Sequence, residues 1–188
     1  MKTLYVNGDS HTANVYPAGV TAAQHLAQHF NCSVINDALA GGSNQRIIRT
    51  TLERLPSLDP TDTVILIGWS SFERTEWYYS GQWHQICGDQ WYQIIPDLQQ
   101  VWQQHLLAWH VNSHYENFRL MQEQHSAIWR FHNTLVQLGY HFCFYQGCDT
   151  FFFDGCPQQD QDFKLPWNSR TWIHDPYVQI TADNSRLV

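Results

Sequence analysis

The stretch that most restricts what this chain can fold into is Val64-Ile65-Leu66-Ile67, an unbroken β-branched and aliphatic run that stops at Gly68. It has no alternating polar residues, so neither of its faces suits water. Such a run fits a central parallel strand buried on both sides. Parallel neighbours need crossover connections, commonly helices, and the sequence before the run supplies them. Lys2 to Val6 is apolar enough for a short buried strand and leads into the turn-forming cluster Asn7-Gly8-Asp9-Ser10-His11. Thr21 is placed to cap a helix whose apolar residues Ala23, Leu26, Ala27 and Phe30 recur at helical spacing. Ser33 to Asn36 reads as a second strand, followed by Ala40-Gly41-Gly42-Ser43-Asn44. Ile47, Ile48, Thr51, Leu52 and Leu55 then mark a helix that Pro56 ends. Alternating strands and helices define an α/β fold with a parallel sheet, and functional groups in such folds gather at the carboxyl ends of the strands.

Beyond Ile67 the pattern changes. From Trp69 to Gln93 no period holds, and Trp69, Phe72, Trp77, Tyr78, Tyr79, Trp83, Trp91 and Tyr92 crowd into what reads as an inserted loop or irregular subdomain, at about 69–93. Helical periodicity returns between Ile94 and Leu138, as two helices with a break near Asn112-Ser113. Gly139 is expected to cap the second, Tyr140 to Tyr145 to form a fourth strand, and Asp154 to Arg170 to be a long loop. With 188 residues, a single domain spanning 1–188 is expected, able to bury about 70% of its unfolded surface without disulfides or metal.

Composition narrows the function. Ten Lys and Arg against seventeen Asp and Glu give a net charge of −7, which argues against nucleic acid as a partner because phosphate recognition needs a basic face. No segment reaches the roughly eighteen apolar residues of a membrane span. Met1-Lys2-Thr3 leads into a strand instead of an apolar signal core, so a soluble protein without an export signal is expected. Cys32, Cys87, Cys143, Cys148 and Cys156 are odd in number and lack repeated spacing, which reads as reduced thiols. His141, Cys143, Cys148 and Cys156 contain no CxxC pair, and neither metal nor cofactor is expected. Aromatic residues make up 15% of the chain, including nine Trp, which suits either a Trp-rich core or an aromatic binding surface.

Ser10 is the residue best placed for chemistry. It follows a strand directly, where the chain must turn, and a serine there exposes its hydroxyl beside backbone N–H groups that can stabilise an oxyanion. The bland reading of Asp-Ser at a turn is a helix cap.

Gly8-Asp9-Ser10 after the first strand resembles the first block of the SGNH hydrolases, the GDSL-type esterases and lipases, with His11 where a leucine is common. The resemblance implies a three-layer α/β/α sandwich with a short parallel sheet, flavodoxin-like in plan, and makes Ser10 the nucleophile. Asn36-Asp37-Ala38-Leu39-Ala40-Gly41 is similar to the second block and gives Gly41 an oxyanion-hole N–H, with Gly42 as the near alternative. Gly68-Trp69-Ser70-Ser71 stands where the family has Gly-x-Asn-Asp, so Ser70 takes the place of the oxyanion amide. Thr171-Trp172-Ile173-His174-Asp175-Pro176 stands where the family has Asp-x-x-His. By resemblance His174 is the base, while Thr171 replaces its orienting acid; a backbone carbonyl or the adjacent Asp175 could orient the ring, Asp154 or Asp160 could substitute, or Ser10 and His174 act as a slow dyad. His11 is a rival base.

Asp9, His11, Asn44 and Trp69 complete the expected substrate-binding set. Asn44 is expected either to orient the Gly41 turn or, more simply, to cap the following helix. Glu73, Arg74 and Glu76 either line the crevice or form surface ion pairs, the latter being the default. The resemblance implies a serine ester hydrolase acting on a small acyl ester, with an acetylated carbohydrate favoured over a lipid-like ester. The alternative is an SGNH-fold binding or structural module that has lost efficient chemistry, similar to compact phage-encoded members, for which the resemblance implies accessory or virion-associated roles.

Overall fold

The computed structural model describes residues 1–13, 21–72, 74–86, 104, 113–146 and 172–173. Its elements are β1 (Thr3–Asn7), α1 (Ala22–Phe30), β2 (Ser33–Asn36), α2 (Asn44–Arg54), a 3₁₀ turn (Leu55–Ser57), β3 (Thr63–Trp69), β4 (Thr75–Tyr79), β5 (Gln82–Ile86), α3 (Ser113–Gln137), β6 (His141–Gln146) and β7 (Trp172–Ile173). The fold is mixed α/β. Strands β2-β1-β3-β6-β7 form one sheet in that order, every pair parallel, with the apolar run at its centre. The chain leaves β1 towards β2 and returns past it to β3. That reversal of direction opens a crevice at the carboxyl ends of β1 and β3.

Local chemistry sets the element ends. Thr21 and Gln24 form a reciprocal capping box at the start of α1. At its end Asn31 is left-handed, with the Asn31 N–H donating to Gln28 and the Cys32 N–H donating to Ala27. Gly139 ends α3 through the same pair of bonds, Gly139 N–H to the Val136 carbonyl and Tyr140 N–H to that of Leu135. Pro56 sits inside the 3₁₀ turn that closes α2, and the Tyr140 hydroxyl holds that turn by bonding the Leu55 and Leu58 carbonyls.

Alternation along the strands sends the described side chains to opposite faces of the sheet. Leu4 and Val6 pack with Ala23 and Leu26 of α1, joined by Val34, Val64 and Leu66. Tyr5, Ile65, Ile67, Trp69, Phe142 and Phe144 pack instead with Ile47 of α2 and with Ile128, Phe131 and Leu135 of α3. Among the described residues no helix is long and apolar enough to cross a membrane.

Two expectations change. The aromatic stretch after β3 is not irregular where it is described: Thr75 to Ile86 is a regular antiparallel hairpin closed by Ser80-Gly81, both with positive φ (49° and 84°). A two-residue turn of that kind matches the twist of its strands. Of the two expected helices, the second is α3, while the first falls, Gln104 apart, outside the described residues.

Candidate active site

The carboxyl ends of β1 and β3 are joined by contacts so close that only glycine fits. A Cβ on Gly8 would lie 2.3 Å from Thr12 Oγ1 and 2.9 Å from the Gly68 carbonyl oxygen, and one on Gly68 would lie 2.6 Å from the Tyr145 ring. The Thr12 and Tyr145 hydroxyls bond each other at 2.6 Å across this gap. Asn7, fully buried at the end of β1, anchors the turn from below. Its amide NH2 donates to Thr50 Oγ1 (2.8 Å) and Thr51 Oγ1 (3.0 Å), and its side-chain oxygen accepts from the Gly8 N–H at 2.9 Å. Tyr5, beside it, has its phenol pushed up to about 12 by burial and serves as a neutral hydrogen-bonding group.

Ser10 stands at this turn, half-buried. Asp9 before it is fully buried and folds the chain around itself. Its carbonyl accepts from Thr12 and Ala13 N–H, and its carboxylate accepts from the His11 N–H at 3.0 Å. Among the described residues, the Ser10 hydroxyl and the Ser10 N–H bond no protein group. The β2–α2 loop is stitched to the same turn, because the Leu39 N–H donates to the Gly8 carbonyl at 3.0 Å. Within that loop the Gly42 N–H is committed to the Leu39 carbonyl, whereas the Gly41 N–H, at φ 74°, bonds no protein group among the described residues. Of the two glycines, Gly41 therefore keeps a donor to offer. His11 is exposed, with Nδ1 at 3.5 Å from Asp9 Oδ2.

Four sequence expectations are corrected here. Trp69 does not line a crevice: it is the last residue of β3, fully buried, and packs edge-on against Phe144 (5.1 Å) and Phe131 (6.0 Å). Among the described residues the exposed rings near this part of the chain are Tyr78 and Trp83 on the hairpin. Asn44 does not cap α2, because Ser43 does, through a bond from the Arg46 N–H. Asn44 is instead buried with its amide clamped on Ser70, accepting from the Ser70 N–H (2.8 Å) and donating to the Ser70 carbonyl (3.1 Å). Arg74 and Glu76 are not surface pairs. Arg74 Nη1 reaches buried Asp9 at 3.3 Å and Ser70 Oγ at 2.9 Å, while Glu76 receives both arms of the Arg49 fork and a bond from Gln85.

The structure thus brings Asp9, Ser10, His11, Gly41, Asn44 and Ser70 to one edge of the sheet together with Arg74, for which lining the crevice was the less favoured of two readings, and adds Thr12 and Tyr145, which sequence reasoning missed as parts of the site. Arg74 carries the one signal that was available: it follows a strand end in a chain with few cations. Glu73, Asp154, Asp160, Thr171, His174 and Asp175 lie outside the described residues; β7 ends at Ile173.

A model described as a family of unknown function, DUF6071, matches residues 8–147, a span that begins at Gly8 and takes in Ser10, Gly41, Ser70, Arg74 and Tyr145. No curated protein matches the chain. A match over most of the length settles membership: the chain belongs to the DUF6071 family.

Proposed function

We propose that this chain is a serine ester hydrolase of the SGNH type, folded as a three-layer α/β/α sandwich, with Ser10 as its nucleophile. The observation that carries the reading is the presence at one sheet edge of an uncommitted serine hydroxyl with uncommitted N–H groups of Ser10 and Gly41, in a turn whose Gly8, His11, Thr12 and Ala13 N–H groups are all bonded. Ser10 Oγ attacks an acyl carbonyl, and its proton passes to a histidine. The carbonyl electrons move onto oxygen, where the two N–H groups receive them; Ser70, fully buried and bonded by Arg74, does not reach it. Collapse of the tetrahedral intermediate expels the alcohol, which takes the proton back, and water then hydrolyses the acyl-enzyme.

By resemblance the base is His174. The contact between His11 and Asp9 favours a second assignment, a base adjacent to its nucleophile and facing a buried carboxylate. The substrate class is a small acyl ester. An acetylated carbohydrate suits the neutral hydrogen-bonding groups of the chain and the exposed rings of Tyr78 and Trp83.

Hydrolysis of short-chain p-nitrophenyl esters and labelling by a fluorophosphonate, in wild type, Ser10→Ala, His174→Ala and His11→Ala, test the reading. Turnover and labelling are expected to vanish in Ser10→Ala. Whichever histidine is the base should cost on the order of 10³-fold or more in kcat, the other little. Folded wild-type protein that neither turns over nor labels would leave the crevice as a binding site and remove the esterase reading.

A further inference from the structure

The hairpin turns one face towards α2. Glu76 and Gln85 stand opposite each other on that face, as do Tyr78 and Trp83 one step nearer the turn. The first pair anchors it: Glu76 accepts from Arg49 Nε at 2.9 Å and Nη2 at 2.8 Å, while Gln85 donates to Glu76 at 3.0 Å and accepts from the Ser43 N–H at 3.0 Å. Arg49 is also held by Glu53, one turn further along α2, and its guanidinium lies over the Trp83 ring, 4.6 Å from the centroid. Tyr78 and Trp83 meet edge-on with centroids 5.2 Å apart. Both rings are therefore held in one orientation, yet Trp83 is 46% and Tyr78 62% exposed, more than any other Trp, Tyr or Phe among the described residues. Two adjoining rings that are fixed in place and left in water mark a binding surface, because a ligand that covers them gains apolar contact without having to order them.

We propose that Tyr78 and Trp83 form a platform that binds a neutral polysaccharide. Charge selects this occupant. Beside the rings one guanidinium faces two carboxylates, those of Glu53 and Glu76, in a chain of net charge −7, so nucleic acid, acidic polysaccharides and anionic lipid surfaces are repelled. A second copy seated on the same rings by a two-fold axis would bring two such acidic patches together. A neutral sugar ring meets neither obstacle. It lays a flat face of C–H groups on an aromatic ring and turns its hydroxyls to the rim, where planar side chains bond them; Gln45 and Glu53, which border one groove with Arg49, are exposed and suited to this. The inference goes beyond the esterase reading and does not depend on it, since binding at the hairpin needs no chemistry at Ser10.

Affinity electrophoresis of the full chain through native gels cast with hydroxyethylcellulose, arabinoxylan or galactomannan, with thermal melts as the folding control, tests it. Wild type is expected to be retarded by at least one of these neutral polysaccharides, and Ser10→Ala to be retarded equally, so that failure of the esterase reading leaves this result standing. Trp83→Ala is expected to weaken the retardation about ten-fold or more, Tyr78→Ala by a smaller factor, and Trp83→Phe, which keeps a ring, to recover part of it. Should Trp83→Ala fail to fold, Tyr78→Ala, at the more exposed of the two positions, carries the test. Wild type that none of the gels retards overturns the proposal, as does retardation that a folded Trp83→Ala or Tyr78→Ala keeps in full. Two companion measurements cover the other occupants. A dimer in sedimentation that Tyr78→Ala dissociates would assign the rings to a second copy, and binding to phosphatidylcholine vesicles that Tyr78→Ala abolishes would assign them to a lipid surface; either result, without retardation in the gels, overturns the proposal.

Discussion

Cys143 shows how environment decides the behaviour of a single side chain. It sits in β6 against the core, and burial pushes its thiol up to about 11. At pH 8 its thiolate fraction is then on the order of 10⁻³, and the thiolate is the reactive form. Iodoacetamide at pH 8 is therefore expected to leave Cys143 unmodified in native protein and to alkylate it readily in urea, as read by peptide mass spectrometry. Rapid native alkylation would mean that the strand does not cover it. The same dependence on surroundings explains which site residues were legible in the sequence. The turns that carry Ser10 and Gly41 were, because a turn after a strand is a local feature. Trp69, Asn44 and Arg74 were misjudged, because their roles are set by partners on other elements: Phe131 and Phe144 for Trp69, Ser70 for Asn44, and Asp9 for Arg74.

Between elements, the tie that matters most to the site is Asn44 on Ser70, which fastens the start of α2 to the end of β3 in the way a neighbouring strand would. Its loss leaves a buried N–H and a buried carbonyl without partners. Asn44→Ala is expected to cost roughly 2–4 kcal/mol, against about 1 kcal/mol for Ser43→Ala, which removes an ordinary helix cap. Urea unfolding midpoints rank the two; Ser43→Ala as the more damaging change would contradict the clamp. The elements themselves were largely legible, since β1 to β3, α1, α2 and β6 follow from apolar runs and capping residues. The hairpin was missed for a stated reason: Trp and Tyr on both its faces hide the two-residue alternation, and Ser80-Gly81 was its available signal. The pairing of β7 with β6 rests on two residues, too few for any pattern. The buried Glu76 ties this hairpin to α2 through Arg49, so charge in this chain serves contacts between elements as well as the surface.

For the whole molecule, the buried face of α3 carries a built-in acid sensitivity. His125 and His132 lie on α3, both buried, and His132 stacks on Trp129 and meets Phe142 edge-on. Burial pushes His125 down to about 4 and lowers His132 as well, although the contact with Asn133 opposes the shift in His132. An unfolded histidine takes up its proton near pH 6.5, whereas folded His125 takes it up only near 4. Between those values the unfolded state binds the extra proton, so stability is full above about pH 7 and falls as the pH is lowered through the window. Each pH unit is worth up to about 1.4 kcal/mol per group, so His125 alone accounts for roughly 3 kcal/mol by pH 4, below which its contribution is constant. The expected outcome is a Tm that drops between pH 7 and pH 4.5, with a clearly shallower drop in His125→Gln. Carboxylates titrating in the same range act on wild type and variant alike, so the difference between the two slopes isolates the histidine. Equal slopes would place its titration outside the folding equilibrium and overturn the prediction.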